Sequence, residues 1–276
     1  YCDALDVVAH EFTHGVTANS MQGNFYQNET GAINEAYSDI MGNLIEMSTG
    51  ATDDTSWLVG ENTGEAVRCM SEPGSYAQPE FVGDIYYMPS VYTPDYYTND
   101  LGGVHMNNSL AANAAYQLYE SGMSYKDELS LYLTSVELMT PHADYDDLYT
   151  SLRFSARING LQKYEDMITD IFQKKGLLGD RTETALNATR DGYGRVTFKV
   201  SSYVKELNGV IYCLNATNNA STCTTAPDLN GTVSALLPAG QYGIAYQYYT
   251  STSVYTYCYQ ENSWVSGTSY YPIQIT

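Results

Sequence analysis

Two histidines four residues apart, near the start of the sequence, have the spacing of a metal site. In His10-Glu11-Phe12-Thr13-His14, an α-helix would place both imidazoles on one face, one turn apart. Glu11 lies beside the first histidine, where its carboxylate can reach a metal-bound water without binding the metal itself. The pattern predicts a zinc site with Glu11 as general base. For the bare motif, two ordinary histidines on an amphipathic helix are the alternative.

The elements that must position these groups are two neighbouring helices. Apolar residues recur every three or four positions from Leu5 to Val16, with Asp3 available as a cap, and again from about residue 31 to 45. Zinc in hydrolases commonly binds two histidines and one carboxylate, with water in the open position. The second helix carries candidates for the remaining roles: Glu35 as third ligand, and Asn34 and Asp39 as hydrogen-bond partners of the imidazole N–H groups. Solvent-facing carboxylates are the alternative.

Four motifs in this order resemble the thermolysin-like zinc metallopeptidases. They are His10-Glu-Phe-Thr-His14-Gly-Val-Thr, Tyr26-Gln-Asn-Glu, Gly31-Ala-Ile-Asn-Glu35-Ala-Tyr-Ser-Asp39 and Gly102-Gly-Val-His105-Met-Asn. The resemblance runs from about Asp3 to about Gly179. Two departures are visible: the stretch between His14 and Glu35 is one residue longer, and Asn108-Ser109 replaces the usual Ser-Gly. Neither falls on a predicted catalytic position.

The resemblance implies further site residues and a metal that the spacing alone does not assign. His105 and Tyr26 would stabilise the oxyanion, and Asp100 would hold His105 in place. Arg68, in a segment similar to the one that contacts the substrate carbonyl in the family, would bind the substrate, although a structural ion pair is the alternative. Acidic residues also match part of the family's calcium site, namely Asp6, Glu46 and Glu61. Because Leu58 and Asn62 stand where two-calcium members are acidic, we expect one Ca²⁺ at most, and simple surface acidity explains these residues almost as well.

Composition and charge exclude several classes of partner. The 276-residue chain has 12 Lys+Arg against 32 Asp+Glu, a net charge of −20, so nucleic acid and anionic membrane surfaces are poor partners. No run of about 18 apolar residues is present, so no transmembrane segment is predicted.

Cysteines and glycosylation sequons favour an extracellular protein. The five cysteines have no paired metal-ligand spacing, and disulfides are the preferred interpretation. Cys2–Cys69, Cys213–Cys223 and Cys213–Cys258 are candidate pairs, with one cysteine left over. Sequons at Asn28, Asn107, Asn187, Asn215, Asn219 and Asn230 suit a secreted glycoprotein, with Asn107 the least able to carry a glycan because it lies beside the site.

The pattern changes near residue 180 and suggests two domains. Residues 1–179 are expected to form a mainly α catalytic domain, the C-terminal lobe of the family, with a mostly irregular stretch at 51–94. Leu129, Tyr132, Leu133 and Val136 mark the expected buried stripe of a helix at about 126–140. Residues 180–194 are linker-like. Alternating apolar residues and turn dipeptides predict a small all-β, sandwich-like accessory domain at 195–276.

These observations together predict a secreted endopeptidase that cleaves internal bonds of peptide or protein substrates. Thermolysin-like enzymes carry a strand-rich N-terminal lobe before the zinc helix, so we expect a missing N-terminal lobe or propeptide as a partner. A non-catalytic surface or assembly protein that keeps the peptidase domain as a scaffold is the alternative. A metal-dependent enzyme with other substrates fits less well, because Arg68 and the His105 turn resemble peptide-handling parts.

Overall fold

The computed structural model describes residues 4–23, 25–50, 57–90, 96–189, 191–199, 210–215, 221–224, 232–249, 254–258, 263–266 and 271–275. The chain divides into two compact units. The first comprises Tyr1–Val82 and Pro89–Arg181, and the second comprises Gly83–Met88 and Thr182–Thr276. Each unit is described by itself.

The first unit is helical, as predicted for the thermolysin-like lobe. Its helices are α1 (Leu5–Ser20), α2 (Asn28–Thr49), α3 (Tyr96–Glu120), α4 (Tyr125–Val136), α5 (Tyr145–Ile158) and α6 (Glu165–Lys174). A short 3₁₀ turn, Gln162–Tyr164, precedes α6. Between α2 and α3, two short strands pair antiparallel, β1 (Leu58–Val59) and β2 (Arg68–Cys69), flanked by 3₁₀ turns at Glu61–Thr63 and Pro73–Tyr76. The sequence predicted mostly loop with short helical pieces here, and not this small hairpin.

Helix α2 forms the centre of the first unit. It is buried almost continuously from Thr30 to Leu44, and it packs against α1 on one side and α3 on another. Gly50 ends the helix in a left-handed conformation, with φ of 62°, which glycine adopts without steric cost. The expected cap of α1, Asp3, lies outside the described residues; Ala4 stands at the N-cap and makes no side-chain capping bond.

Helix α3 contains a sharp kink at the fourth motif, Gly102-Gly-Val-His105. Four successive residues have left-handed backbone angles: Asp100 (φ 49°), Leu101 (φ 51°), Gly102 (φ 86°) and Gly103 (φ 81°). Only glycine adopts such angles freely, which explains the Gly-Gly pair, whereas Asp100 and Leu101 are strained there. The regular helix that follows begins close to His105.

Helices α4, α5 and α6 close the core around α2. Ser124 caps α4, and Asp144 with Asp147 forms a capping box on α5. The Tyr37 hydroxyl lies 2.5 Å from Ser135 Oγ, and its ring meets Tyr132 edge to face at 5.4 Å. One detail of the predicted stripe on α4 is wrong. Leu133 was predicted to be buried but is 43% exposed. The buried face of α4 instead carries Leu131 and, unexpectedly, Glu128, which are both fully buried.

The second unit contains one short helix and antiparallel strands. Helix α7 (Arg181–Asn187) lies within the stretch expected to be a linker. The strands are β3 (Tyr193–Lys199), β4 (Val210–Asn215), β5 (Ser221–Thr224), β6 (Thr232–Pro238), β7 (Gly240–Tyr249), β8 (Val254–Cys258), β9 (Ser263–Ser266) and β10 (Tyr271–Ile275). One sheet has the order β5-β4-β7-β8-β9, with β10 also on β7, and β3 pairs separately with β6.

Candidate metal centre

The two histidines of α1 and the glutamate of α2 converge on one point. His10 Nε2 lies 3.1 Å from His14 Nε2. The carboxylate of Glu35 faces both, with Oε2 at 3.6 Å from His10 Nε2 and Oε1 at 3.4 Å from His14 Nε2. His10 and Glu35 are buried and His14 is half-buried. The spacing of four along α1 and the packing of α1 against α2 therefore bring the three predicted ligands together.

The outer nitrogen of each imidazole is held by a side chain of α2. His10 Nδ1 lies 2.8 Å from Asp39 Oδ1, and His14 Nδ1 lies 2.5 Å from Asn34 Oδ1. Because both partners accept hydrogen bonds through oxygen, each Nδ1 is the donor and each Nε2 keeps its lone pair for a metal. Ser38 Oγ also lies 3.2 Å from His14 Nδ1. Sequence reasoning missed Ser38, although its place one turn after Asn34 on the same helix is a usable signal.

This donor set fits zinc. Ligand atoms about 2.1 Å from a tetrahedral ion lie roughly 3.4 Å from one another, and zinc in hydrolases takes two histidines with one carboxylate. The two imidazole nitrogens lie 3.1 Å apart, and each lies 3.4 or 3.6 Å from one or the other oxygen of the Glu35 carboxylate, which is close to that value. Within the described residues, this trio is the metal-capable group of histidine, cysteine and carboxylate donors.

His105 and Tyr26 border the same centre, where both contact Glu35. The kink places His105 so that Asp100 accepts from it twice, from Nδ1 at 2.6 Å and from the backbone N–H at 2.8 Å. The bond to Asp100 raises the pKa of His105, which favours a ring that donates through Nε2. Nε2 lies 3.4 Å from both Tyr26 Oη and Glu35 Oε1, and the Tyr26 hydroxyl makes a short hydrogen bond to Glu35. Burial, reinforced by Glu35, raises the pKa of Tyr26, so its hydroxyl keeps its proton.

Arg68 forms an ion pair with Asp39, the interaction that was the alternative to substrate binding. Its Nε and Nη2 donate to Asp39 Oδ2 and Oδ1 at 2.8 and 2.7 Å. Burial acts to raise the pKa of Asp39, but Arg68 and His10 outweigh it and hold that pKa below its ordinary value. Asp39 is therefore an anion that connects a predicted ligand to the predicted substrate-binding residue.

Two residues that the sequence did not single out for the site touch this carboxylate network. Asn108 Nδ2 donates to Asp39 Oδ2 at 2.6 Å, and Gln78 Nε2 donates to Asn108 Oδ1 at 2.9 Å. Asn108 belongs to one of the two departures from the family pattern. That departure was the signal from which the sequence could have indicated a role for Asn108 at the site. Nothing in the irregular segment around Gln78 pointed to the site.

Glu11 is exposed on α1, between the two histidines in sequence. It projects from a helix whose other face is buried. A carboxylate there is open to solvent and to a substrate.

The acidic residues assigned to calcium are not shown to form a cation site. Asp6 and Glu46 are buried and Glu61 is half-buried, and Asp6 Oδ2 accepts from the Gly60 N–H at 2.5 Å. Asn62 Nδ2 donates to Glu46 Oε1 and Glu61 Oε1, both at 3.2 Å. Asn62 thus bridges two of the three carboxylates.

The cysteine and glycan predictions are tested at few points. Cys69 is a free, buried thiol 3.1 Å from Ser71 Oγ, and its expected partner Cys2 lies outside the described residues, so the Cys2–Cys69 bridge is not supported. The side chains of the other cysteines also lie outside what the structure describes. Asn107, the sequon expected to be the least able to carry a glycan, is 3% exposed.

The helical fold holds two histidines and one carboxylate, which is the donor set that binds zinc in hydrolases. Comparison with known proteins gives the family. Residues 23–177 match the model of the thermolysin metallopeptidase α-helical domain, which covers more than half of the chain. The chain belongs to this family.

Similar curated proteins are bacterial peptidases. A zinc metalloproteinase of Renibacterium salmoninarum is 33% identical over 167 residues, which are 56% of this chain and 30% of that protein. Thermolysin of Alicyclobacillus acidocaldarius is 36% identical over 164 residues, 54% of this chain and 28% of that protein. The extracellular elastase of Staphylococcus epidermidis is 35% identical over 159 residues, 55% of this chain and 28% of that protein. The chain thus spans less than a third of the length of these relatives.

A solved structure shares the fold. The precursor of protealysin, a metalloproteinase from Serratia proteamaculans, has a TM-score of 0.54 and 24% identity, covering 63% of this chain and 58% of that one.

None of the described helices combines the length and the apolar composition that a membrane-spanning helix requires.

Proposed function

We propose that this chain is the catalytic helical lobe of a zinc-dependent endopeptidase that hydrolyses internal peptide bonds. The observation that carries the proposal is the convergence of His10 Nε2, His14 Nε2 and the Glu35 carboxylate, with both outer nitrogens held by α2. A protein without a metal has no physical need for two imidazoles facing a carboxylate with their free lone pairs turned inward.

His10, His14 and Glu35 would hold the zinc, which when bound polarises a water molecule and the substrate carbonyl. Glu11 removes a proton from the attacking water and then delivers it to the leaving nitrogen. Its exposed position on α1 suits both transfers, because substrate and water reach it directly. Asn34 and Asp39 orient the two imidazoles.

His105 and Tyr26 supply hydrogen bonds to the oxyanion that forms on the scissile carbonyl. Their donor atoms lie 3.4 Å apart and face the same carboxylate, so one substrate oxygen reaches both. Each preorganised donor of this kind contributes about 3 kcal/mol to the transition state. Asp100 fixes the ring of His105 through its two hydrogen bonds.

Arg68 holds the substrate by a carbonyl oxygen. Asp39 occupies Nε and one Nη2 hydrogen, which leaves the other guanidinium hydrogens for a ligand, and the side chain keeps 17% exposure. The resemblance adds the expectation of a bulky apolar residue just after the cut bond.

The remaining parts are assigned from weaker observations. Leu5, Val8 and Phe12 are 37%, 47% and 72% exposed along one face of α1, an apolar stripe suited to packing against an N-terminal lobe or propeptide. At most one Ca²⁺ would bind among Asp6, Glu46 and Glu61. Secretion of the protein, a catalytic domain at 1–179, a linker at 180–194 and a sandwich-like accessory domain at 195–276 complete the proposal.

The test combines zinc content with cleavage of an internally quenched peptide. We compare the chain with Glu11→Gln, and with Glu137→Gln as a control that removes an exposed carboxylate at the end of α4. The expected result is one zinc in all three proteins and loss of cleavage in Glu11→Gln alone, by at least about 10²-fold. Zinc without cleavage in the parent chain would mean that the metal site is built but the substrate cleft is not, as in a scaffold or in a lobe that needs its partner, and absence of zinc would refute the metal site.

A further inference from the structure

The carboxylate of Asp39 accepts four hydrogen bonds, as many as its lone pairs allow. Oδ1 accepts from His10 Nδ1 and Arg68 Nη2, at 2.8 and 2.7 Å. Oδ2 accepts from Arg68 Nε and Asn108 Nδ2, at 2.8 and 2.6 Å. Asp39 is only 1% exposed, so water cannot replace a lost donor without rearrangement. Asn108 is the one neutral side-chain amide in this set.

The amide of Asn108 has a defined orientation because Gln78 fixes it. Asn108 is fully buried, and its Oδ1 accepts from Gln78 Nε2 at 2.9 Å. The same Gln78 nitrogen donates to the backbone carbonyl of His105 at 2.7 Å. A flipped Asn108 amide would place its oxygen against Asp39 and its NH₂ against the NH₂ of Gln78, which is unfavourable on both sides.

We propose that Asn108 is a positioning residue, oriented by Gln78, that holds Asp39 and through it the imidazole of His10. The inference rests on the proposed function, because its effect is measured at the zinc site. With Asn108 in place, each oxygen of Asp39 has two donors and the carboxylate plane is fixed. Without it, the carboxylate turns towards its remaining donors, and the His10 ring loses its orientation.

The competing explanation is that Asn108 merely ties α3 to the irregular segment at 78–80. Ser109 provides a matched control, because its hydroxyl donates to the carbonyl of Pro79 at 2.6 Å and it is 3% exposed. It joins the same two segments through a buried hydrogen bond, but its hydroxyl donates to the backbone carbonyls of Pro79 and Met106 and not to Asp39. A general loss of packing should therefore affect Ser109→Ala as much as Asn108→Ala.

The experiment measures zinc affinity of the full chain by competition with a chromophoric chelator. The variants are Asn108→Ala, Gln78→Ala, their double variant and Ser109→Ala, with thermal unfolding of each metal-free protein as a measure of stability. We expect Asn108→Ala to weaken zinc binding about tenfold, the lower end of the range for groups that orient ligands. Gln78→Ala should weaken it by about threefold, and the double variant should match Asn108→Ala, since residues acting in series are not additive.

The outcomes separate the inference from the function on which it rests. Ser109→Ala should lose a similar amount of thermal stability while its zinc affinity stays within about twofold of the parent. Equal zinc affinity in Asn108→Ala and the parent, or a double variant that shows the product of the single effects, would overturn the inference alone. A parent chain that binds no zinc would refute the proposed function and the inference with it. If Asn108→Ala does not fold, Asn108→Ser takes its place in the same cycle.

Discussion

Replacing Glu128 with leucine should stabilise the protein at neutral pH. Glu128 is fully buried on α4, and neither of its carboxylate oxygens has a hydrogen-bond partner among the described residues. Burial raises the pKa of Glu128 well above its ordinary value of 4.5. A buried polar group left unsatisfied costs about 1–3 kcal/mol, and leucine of similar length removes that cost. For a chain of this size the melting temperature should rise by roughly 2–10 °C.

The pH dependence gives the sharper test. The folded-state pKa of Glu128 is raised, so the folded protein binds the proton of Glu128 more tightly than the unfolded chain does. This proton binding contributes to the free energy of unfolding. The contribution is fully present below about pH 4.5 and is lost as the pH rises through the folded-state pKa. Tyr132, one turn further along the same helix, interacts electrostatically with Glu128, and burial raises the pKa of Tyr132 well above 10, so its hydroxyl stays neutral throughout this range. The stabilisation by Glu128→Leu should therefore be smallest near pH 4.5 and grow towards pH 8.

The assay is thermal unfolding of metal-free protein from pH 4.5 to 8, with Glu128→Gln and Glu137→Gln alongside. Glu128→Gln keeps the shape of the side chain but removes its proton equilibrium. The melting temperature of this variant should therefore not show the decline with rising pH that the parent shows. Glu137→Gln removes an exposed carboxylate just after α4, and its melting temperature should change with pH in parallel with that of the parent. Parallel curves for the parent and Glu128→Gln would refute the reasoning, because they would mean that Glu128 binds no extra proton in the folded state.

Two further predictions concern the oxyanion side and the surface. His105→Gln should lower kcat for an internally quenched peptide by about 10²–10³-fold while zinc content stays at the parent value, which metal analysis checks; loss of zinc would instead make His105 part of the metal site. At the surface, the hydrogen bond from Arg157 lowers the pKa of Glu165 to about 2 from 4.5. The contribution of Glu165 to stability is present above pH 4.5 and is lost as the pH falls towards 2. Over that interval, the urea concentration at the unfolding midpoint should therefore decrease less in Glu165→Gln than in the parent.

The sequence predicted the groups that local geometry determines. His10 and His14 meet because a helix repeats every 3.6 residues, and the same periodicity on α2 places Glu35 and Asp39 one turn apart. Their contacts could be anticipated once α1 and α2 were taken as neighbours.

The sequence did not predict what depends on tertiary packing. Gln78 lies in an irregular segment with no period, and its bond to Asn108 joins residues 30 positions apart. Glu128 reads as an ordinary exposed residue in the first turn of a helix, where acidic residues are common, yet α4 is rotated so that this position is buried and Leu133 is exposed. Arg68 illustrates a third limit, since motif similarity could not distinguish an ion pair with Asp39 from substrate binding, and the geometry allows both.

The register of α1 on α2 should control zinc affinity, because the ligands come from both helices. At the closest approach, a Cβ added to Gly42 would lie 2.6 Å from the backbone carbonyl oxygen of Asp6. Carbon and oxygen do not approach so closely, and a backbone atom cannot turn aside as a flexible side chain can. Gly42→Ala should therefore push α1 away from α2 near Asp6, one turn before His10, and separate both imidazoles from Glu35.

Gly15→Ala is the matched control, since a Cβ there meets nothing within 4 Å and the position is helical. It should raise stability by up to about 1 kcal/mol through helix propensity and leave zinc binding unchanged. For Gly42→Ala, we expect zinc affinity to fall by at least about tenfold, as for other changes that displace ligands. If Gly42→Ala binds zinc as tightly as Gly15→Ala, the two helices tolerate a shift at their contact, and the ligand geometry must be set by the hydrogen bonds of Asn34 and Asp39 instead.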